Sequence, residues 1–255
     1  MKVIILLFTL LFSHLAIAQT TEIEKLLTLE QFDQAEVISR QQIIDNPTDA
    51  TAWFWHGRVM ATQASNSFFS AFSYATESLE AFKKAVELEP NNATFVMGLV
   101  TYYRNAPAIV GGGEEHAREL IKQSYLRSPT NYQFQLQHGL VLFEEQKWEQ
   151  AFELFQDMRS GNDVSERLMG HYQFARTSVF SGLRVPEGIS AMNTYLAMID
   201  NSDSSLPSAA WARVRLAQLY LKQGAVDEFQ LLAEAREDHE EQALAEMWQA
   251  LLDRD

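Results

Sequence analysis

What most narrows the fold of this chain is a single pattern of small and bulky residues that returns along it. In Ser78-Leu79-Glu80-Ala81-Phe82-Lys83-Lys84-Ala85-Val86-Glu87-Leu88-Glu89-Pro90-Asn91-Asn92, apolar side chains fall at helical spacing. The small Ser78 and Ala85 let a second helix approach, and Phe82 fills the space between the two. Pro90 ends the helix because it cannot continue the hydrogen-bond ladder. Looser copies surround this segment. Trp53, His56 and Gly57 open a preceding first helix, and Leu99 with Tyr103 repeats the later part of that pattern. Gly139 is followed by Trp148, Ala151 and Phe155. Tyr172 to Arg176 and Gly188 to Leu196 form a degenerate fifth copy. Leu216-Ala217-Gln218-Leu219-Tyr220-Leu221-Lys222-Gln223-Gly224 forms a last clear one, with Gly224 as helix stop. Phe32, Ala35 and Pro47 belong to a truncated first copy. A unit of this kind cannot bury its apolar side alone, so the copies must stack and share a core.

These residues resemble the tetratricopeptide repeat family, most closely in Ser78 to Asn92, and the likeness extends from about Glu22 to about Arg236. The resemblance implies an all-α fold, a helical-hairpin solenoid of roughly six units of about 34 residues each. The tail from Asp238 to Leu252, with Ala243, Leu244, Met247, Trp248 and Leu251, reads as a C-terminal capping helix, since a stacked array needs one element with a polar outer face. Two departures stand out: extra residues around Ser65 to Tyr74, and Asn105 to Gly113 between two helices. Both are similar to features of exported proteobacterial tetratricopeptide proteins, a likeness that implies an envelope location and no activity.

At the N-terminus, Lys2 precedes an apolar run from Val3 to Phe12, and Ala16-Ile17-Ala18 follows. This order is that of a signal peptide over residues 1–18 cleaved before Gln19, leaving 19–255 as the repeat domain. An uncleaved anchor is the alternative. The run is shorter than the about 20 residues a spanning helix needs, and no later segment is long and apolar enough, so the mature chain is expected to have no transmembrane segment. The expected address is the periplasm, with secretion as the other possibility. With 34 acidic against 20 basic residues and a formal net charge of -14, the chain repels phosphate backbones. Nucleic acid is therefore not an expected partner. Cysteine is absent, which removes disulfides, thiolate metal sites and a cysteine nucleophile.

Solenoids usually bind on the inner, first-helix face. Counting along the first helices puts Phe54, Arg58, Met97, Arg104, Leu136, Phe143, Tyr172, Arg176 and Trp211 there as a candidate partner-binding groove. Aromatics and arginines are enriched in interface hot spots, and the three arginines suit a carboxylate. Against that stands the plainer reading that they neutralise neighbouring Asp and Glu. The clamp motif by which some family members hold a C-terminal carboxylate is not matched. The inserted loop offers an exposed aliphatic pair, Ile109 and Val110, as a second contact site. Gly111-Gly112-Gly113-Glu114-Glu115 superficially suggests a phosphate loop, but no Lys-Ser/Thr follows and the two acids already occupy the helix start. In Phe68-Phe69-Ser70-Ala71-Phe72-Ser73-Tyr74 the rings cannot all face inward on a helical period. Part of that cluster is either exposed or covered, and packing against the other insertion is the plainer reading.

For catalysis the residues are thin. His56, His116, His138, His171 and His239 are scattered, with no metal-ligand spacing and no nucleophile elbow. His56 and His138 precede Gly57 and Gly139 in the same repeat position and read as packing residues. No cofactor and no metal is implied. The expected function is thus a non-enzymatic protein–protein interaction module, an adaptor, scaffold or chaperone-like protein binding a protein or peptide in its groove. A structural subunit of an envelope assembly held through the inserted loops is the alternative. A hydrolase or metal-dependent enzyme is a third reading, without an assembled set of catalytic groups.

Overall fold

The computed structural model describes residues 22–200, 205–235 and 241–253. Among the described residues there are helices, one 3-10 turn and no strand. They follow one another as hairpins: α1 (22–28) with α2 (Phe32–Asp45), α3 (Ala50–Asn66) with α4 (Ala71–Leu88), and α5 (Ala93–Asn105) with α6 (Glu114–Arg127). Then come α7 (Tyr132–Glu144) with α8 (Trp148–Met158), α9 (Val164–Ser181) with α10 (Val185–Met198), and α11 (Ala209–Gln223) with α12 (Val226–Glu234). A last helix, α13 (Gln242–Leu252), completes the order expected of six units and a cap. The expected signal peptide, His239 and the stretch 238–240 lie outside the described residues.

Local chemistry sets the hairpin starts. From the second hairpin on, each first helix begins after a residue whose side-chain oxygen accepts a backbone N–H. Asp49 accepts from Thr51, Asn92 from Thr94, Asn131 from Phe134, Asp163 from Glu166 and Ser208 from Trp211. Each such cap satisfies a donor that the helix leaves open and contributes about 1 kcal/mol. In the second and fourth hairpins a first-helix glycine faces a second-helix phenylalanine. A Cβ on Gly139 would stand 2.5 Å from Phe155 Cε1, and one on Gly57 3.0 Å from Phe82 Cδ1. Close approach of the two helices therefore depends on the missing side chain, as the repeat pattern implied.

After Pro129 the chain divides into two compact units. The first holds three hairpins around Phe54, Val59, Met60, Phe82, Phe95 and Leu99. The second holds three hairpins and α13, and its most deeply buried rings are Phe134, Phe152, Phe155, Phe174 and Tyr195. In α13, Leu244, Trp248 and Leu251 pack with Val214, Ala217 and Phe229, while Glu246 and Gln249 are exposed. This is the one-sided pattern of a cap.

Both insertions fall in the first unit and are built differently. The earlier one lengthens its hairpin: α3 has 17 residues and α4 has 18, against 13 and 11 in α7 and α8. Only residues 67–70 are left as a loop. The later insertion is the loop from Ala106 to Gly113, with its 3-10 turn at Ala108–Val110. Each insertion leaves its helix at an asparagine that donates to a carbonyl one turn back, Asn66 to Thr62 at 2.8 Å and Asn105 to Thr101 at 2.9 Å. That bond satisfies a terminal carbonyl and ends the helix.

Candidate functional site

In the first unit the two insertions come together over a cavity of about 740 Å³. Phe54 from α3, Phe82 from α4 and Tyr102 from α5 contribute rings to its lining. Ala61, Ala64, Ala71 and Ala75 leave room, and Pro107, Ile109 and Val110 approach from the later loop. Gly98 is part of the reason the space exists, because a Cβ there would reach within 2.6 Å of Phe54 Cε2. The later loop is tied down. The Tyr102 hydroxyl lies 2.8 Å from both Ala75 O and Val110 O, so one proton serves two carbonyls on α4 and the loop. Burial raises the Tyr102 phenol above its ordinary pKa, which keeps that proton in place. At Gly112 a Cβ would stand 1.8 Å from Ala106 O. The glycine run is therefore what lets this loop close on itself, with Gly113 N donating to Tyr103 O at 2.7 Å.

Around this cavity the surface is apolar and bare. Phe68, Phe69 and Ile109 are 89%, 96% and 80% exposed, and Phe72, also exposed, reaches the cavity lining. Of the aromatic cluster, Phe72 shares the cavity lining with the later loop and Tyr74 packs on the core of the first unit, while Phe68 and Phe69 lie outside both. Phe68 and Phe69 stack edge to face on each other, centroids 5.2 Å apart, in the open loop. Exposed rings grouped with an apolar cavity form a contiguous apolar patch, the kind of surface that interaction sites present.

The residues expected on the groove separate into two groups. In the first unit, Phe54 and Arg58 line the cavity. Arg58 is exposed, and its guanidinium stacks 4.3 Å from the Trp55 ring centroid. Met97 is half-buried, and Arg104 is exposed and 3.4 Å from Glu114, the neutralising role that was its plainer reading. Ile109 is exposed as expected. Val110 is not: its side chain is buried, because the 3-10 turn tucks it inward while its carbonyl meets Tyr102. In the second unit Leu136, Phe143 and Tyr172 are buried, Phe143 between Trp148 and Phe180 and Tyr172 against Tyr195. Arg176 lies over the Phe143 ring at 4.2 Å and near Phe180 at 5.6 Å, and donates to Gln173. Half-buried Trp211 donates from Nε1 to Glu241. Helical counting identified the first-helix side, but neighbouring rings decide which of those residues face outward. One further expectation changes: loop contact and first-helix contact are not separate surfaces in the first unit, since Ile109 lines the same cavity as Phe54 and Arg58.

A polar cluster escaped sequence reading. His56 is buried, its Nε2 3.0 Å from Glu77 Oε1 and its Nδ1 3.0 Å from Ser39 Oγ. Arg40 donates to both Glu77 oxygens and to Glu36, which also accepts from Gln63. Burial pushes the His56 imidazole below its ordinary pKa, so it is neutral, giving Nε2–H to Glu77 and accepting the Ser39 hydroxyl at Nδ1. Burial opposes ionisation of Glu77, but hydrogen bonds from Arg40 and His56 outweigh it and hold the carboxyl below the usual range. Hydroxyl, imidazole and carboxylate in a row have the order of a hydrolase triad. Here Ser39 and His56 are only 0% and 1% exposed, and neither lines the cavity. With no room for an acyl group beside Ser39, the cluster acts as a clamp joining α2, α3 and α4. Such a cluster is invisible in sequence because its members lie on three helices with no local spacing. Among the described residues no group of three or more His, Asp or Glu is placed to hold a metal ion, and no helix is long and apolar enough to cross a membrane.

No protein-family model and no curated protein matches the sequence. Solved structures do. PilW, described as a widely conserved type IV pilus biogenesis factor, aligns over 93% of this chain and 98% of its own, with a TM-score of 0.58 and 12% identity. A tetratricopeptide repeat protein from Parabacteroides merdae aligns over 93% and 99%, TM-score 0.56, 11% identity. The APC/C hetero-tetramer Cut9–Hcn1 aligns over 93% of this chain and 43% of its own, TM-score 0.53, 13% identity. Serial hairpins with glycine-to-phenylalanine packing and capped first helices make this an all-α helical-repeat protein. Its fold is that of the tetratricopeptide repeat, as the Ser78 to Asn92 segment indicated.

Proposed function

We propose that this chain is a non-enzymatic interaction module of the cell envelope, and that its first unit docks an apolar segment of a partner polypeptide in the cavity between the two insertions. The observation that carries this reading is the convergence of both insertions, with Phe68, Phe69, Phe72 and Ile109 exposed, on one apolar cavity. A cavity of about 740 Å³ is of the size that holds a few side chains, and the bare rim suits a partner larger than a small molecule. The fold supports the reading, since repeat arrays of this kind bind other proteins on their first-helix faces. The likeness to a pilus biogenesis factor is one of fold and names no partner for this chain. The clamped, solvent-excluded Ser39 and His56 argue for binding over catalysis.

The envelope address rests on Lys2, the apolar run and Ala16-Ile17-Ala18. N-terminal sequencing of the exported protein should begin at Gln19, and a chain beginning at Met1 in the cytosolic fraction refutes the address. The docking site is tested by placing a photo-crosslinking amino acid at Phe69, at Ile109 and, as a control on the second unit, at the exposed Leu231. Illumination of intact cells should give one discrete polypeptide adduct from the first two positions and none from the third. Equal adducts from all three, or none from any, reject the site.

A further inference from the structure

Arg58 is the only charged residue among those that line the cavity. The chain from Val59 to Thr76, and again from Asn105 to Gly113, contains no acidic or basic residue at all. The site is therefore an uncharged, apolar surface with one cation set into it, in a protein whose formal net charge is -14. Of the other arginines in the first unit, Arg40 pairs with Glu36 and Glu77, both Arg104 and Arg118 pair with Glu114, and Arg127 donates to Pro90 O. Arg58 makes no ion pair among the described residues, and its guanidinium is held by the Trp55 face. Stacking fixes the plane of a guanidinium and leaves its in-plane N–H donors available for a carboxylate. Apolar surroundings strengthen such a bond relative to one in open water.

We infer that the docking site selects apolar polypeptide segments that carry a carboxylate beside their anchoring side chain, and that Arg58 is the residue that reads the charge. This rests on the cavity being the docking site. The rim decides between a polypeptide and a small amphiphile. Phe68 and Phe69 do not line the cavity, so a molecule that only filled it would leave both rings bare, whereas a segment crossing it covers them.

The test uses the purified mature chain and two dyes of similar apolar body, 1-anilinonaphthalene-8-sulfonate, which carries one negative charge, and uncharged N-phenyl-1-naphthylamine. Both should bind, and Thr101→Trp, which fills the cavity from an exposed helix position, should abolish both signals. Arg58→Gln should weaken the sulfonate dye about tenfold and leave the uncharged dye within about twofold. The peptide acetyl-Leu-Phe-Glu-Leu-Phe-amide should displace the uncharged dye about tenfold more tightly than its Glu→Gln counterpart. That preference should vanish in Arg58→Gln. Equal displacement by the two peptides overturns the charge selection and leaves the apolar site standing. Displacement by dodecanoate but by neither peptide overturns the polypeptide occupant in favour of a small amphiphile. Failure of the uncharged dye to bind the unmodified chain overturns the docking site itself.

Discussion

The two units are built from the same hairpin, yet they treat their first-helix side differently. In the second unit that side is filled by its own residues. Arg176 stacks on Phe143 and Phe180, and Arg215 lies 5.2 Å from Phe180 and 5.7 Å from Trp211. Burial depresses the Arg176 guanidinium below its ordinary pKa, as expected for a cation enclosed by rings. In the first unit Ala61, Ala64, Ala71 and Ala75 leave space, the helices of the second hairpin are longer, and a loop approaches from the third. There the same side becomes a cavity with bare aromatics beside it. Longer helices, small lining residues and an inserted loop thus open a cavity in one unit, where the other packs its own rings.

The largest effect that would sharpen this contrast is in the cores. Phe155→Ala in the second unit removes a fully buried ring and should cost about 3–5 kcal/mol in urea unfolding. Phe82→Ala, which borders the existing cavity, should fall at the lower end of that range. If Phe82 costs more than Phe155, the first unit is not the looser one. Next is the tie beneath the inserted loop. Tyr102→Phe leaves Ala75 O and Val110 O without their shared donor and should cost about 1–3 kcal/mol. Amide exchange should then speed up across residues 106–113 and stay unchanged in the second unit. Gly112→Ala should disturb the same residues through its clash with Ala106 O.

Smaller again is the response to acid, where the units should behave alike. Burial, with Arg159 and Arg167 nearby, pushes His171 in the second unit down to about 4 from 6.5. Because the unfolded chain takes up the proton first, this stabilising contribution is complete above about pH 6.5 and is lost as pH falls towards 4. His56 in the first unit is depressed with the same sign, and protonation of Glu77 adds to the loss at lower pH. The thermal midpoint should drop between pH 7 and pH 4.5, and the drop should be smaller in His171→Gln. A midpoint that rises on acidification rejects the neutral assignment of both imidazoles. Smallest of all, Arg104→Ala breaks an exposed pair with Glu114 and should change stability by less than about 1 kcal/mol. It should also leave dye binding intact, in contrast to Arg58→Gln.

Hairpin order, the helix stops and the terminal helix were legible because they depend on residues close in sequence. Pro90 after Leu88, Gly57 ahead of Phe82 and the 3.6-residue recurrence of apolar positions are one-dimensional marks of a repeat. The candidate site was legible only in part. The insertions, with Ile109, were visible as departures from the pattern, and Phe54 and Arg58 followed from counting along a first helix. That Val110 turns inward, that Arg176 is enclosed by two rings, and that Ser39, His56 and Glu77 meet was not. By itself the sequence determined which segments are helices and how they pair, since helix periodicity and capping are decided within a few residues. Tertiary structure alone decided which side chains of a first helix face solvent and that two loops far apart in the chain share one cavity. Both depend on what the neighbouring helix brings, and packing between distant segments leaves no spacing in the sequence to read.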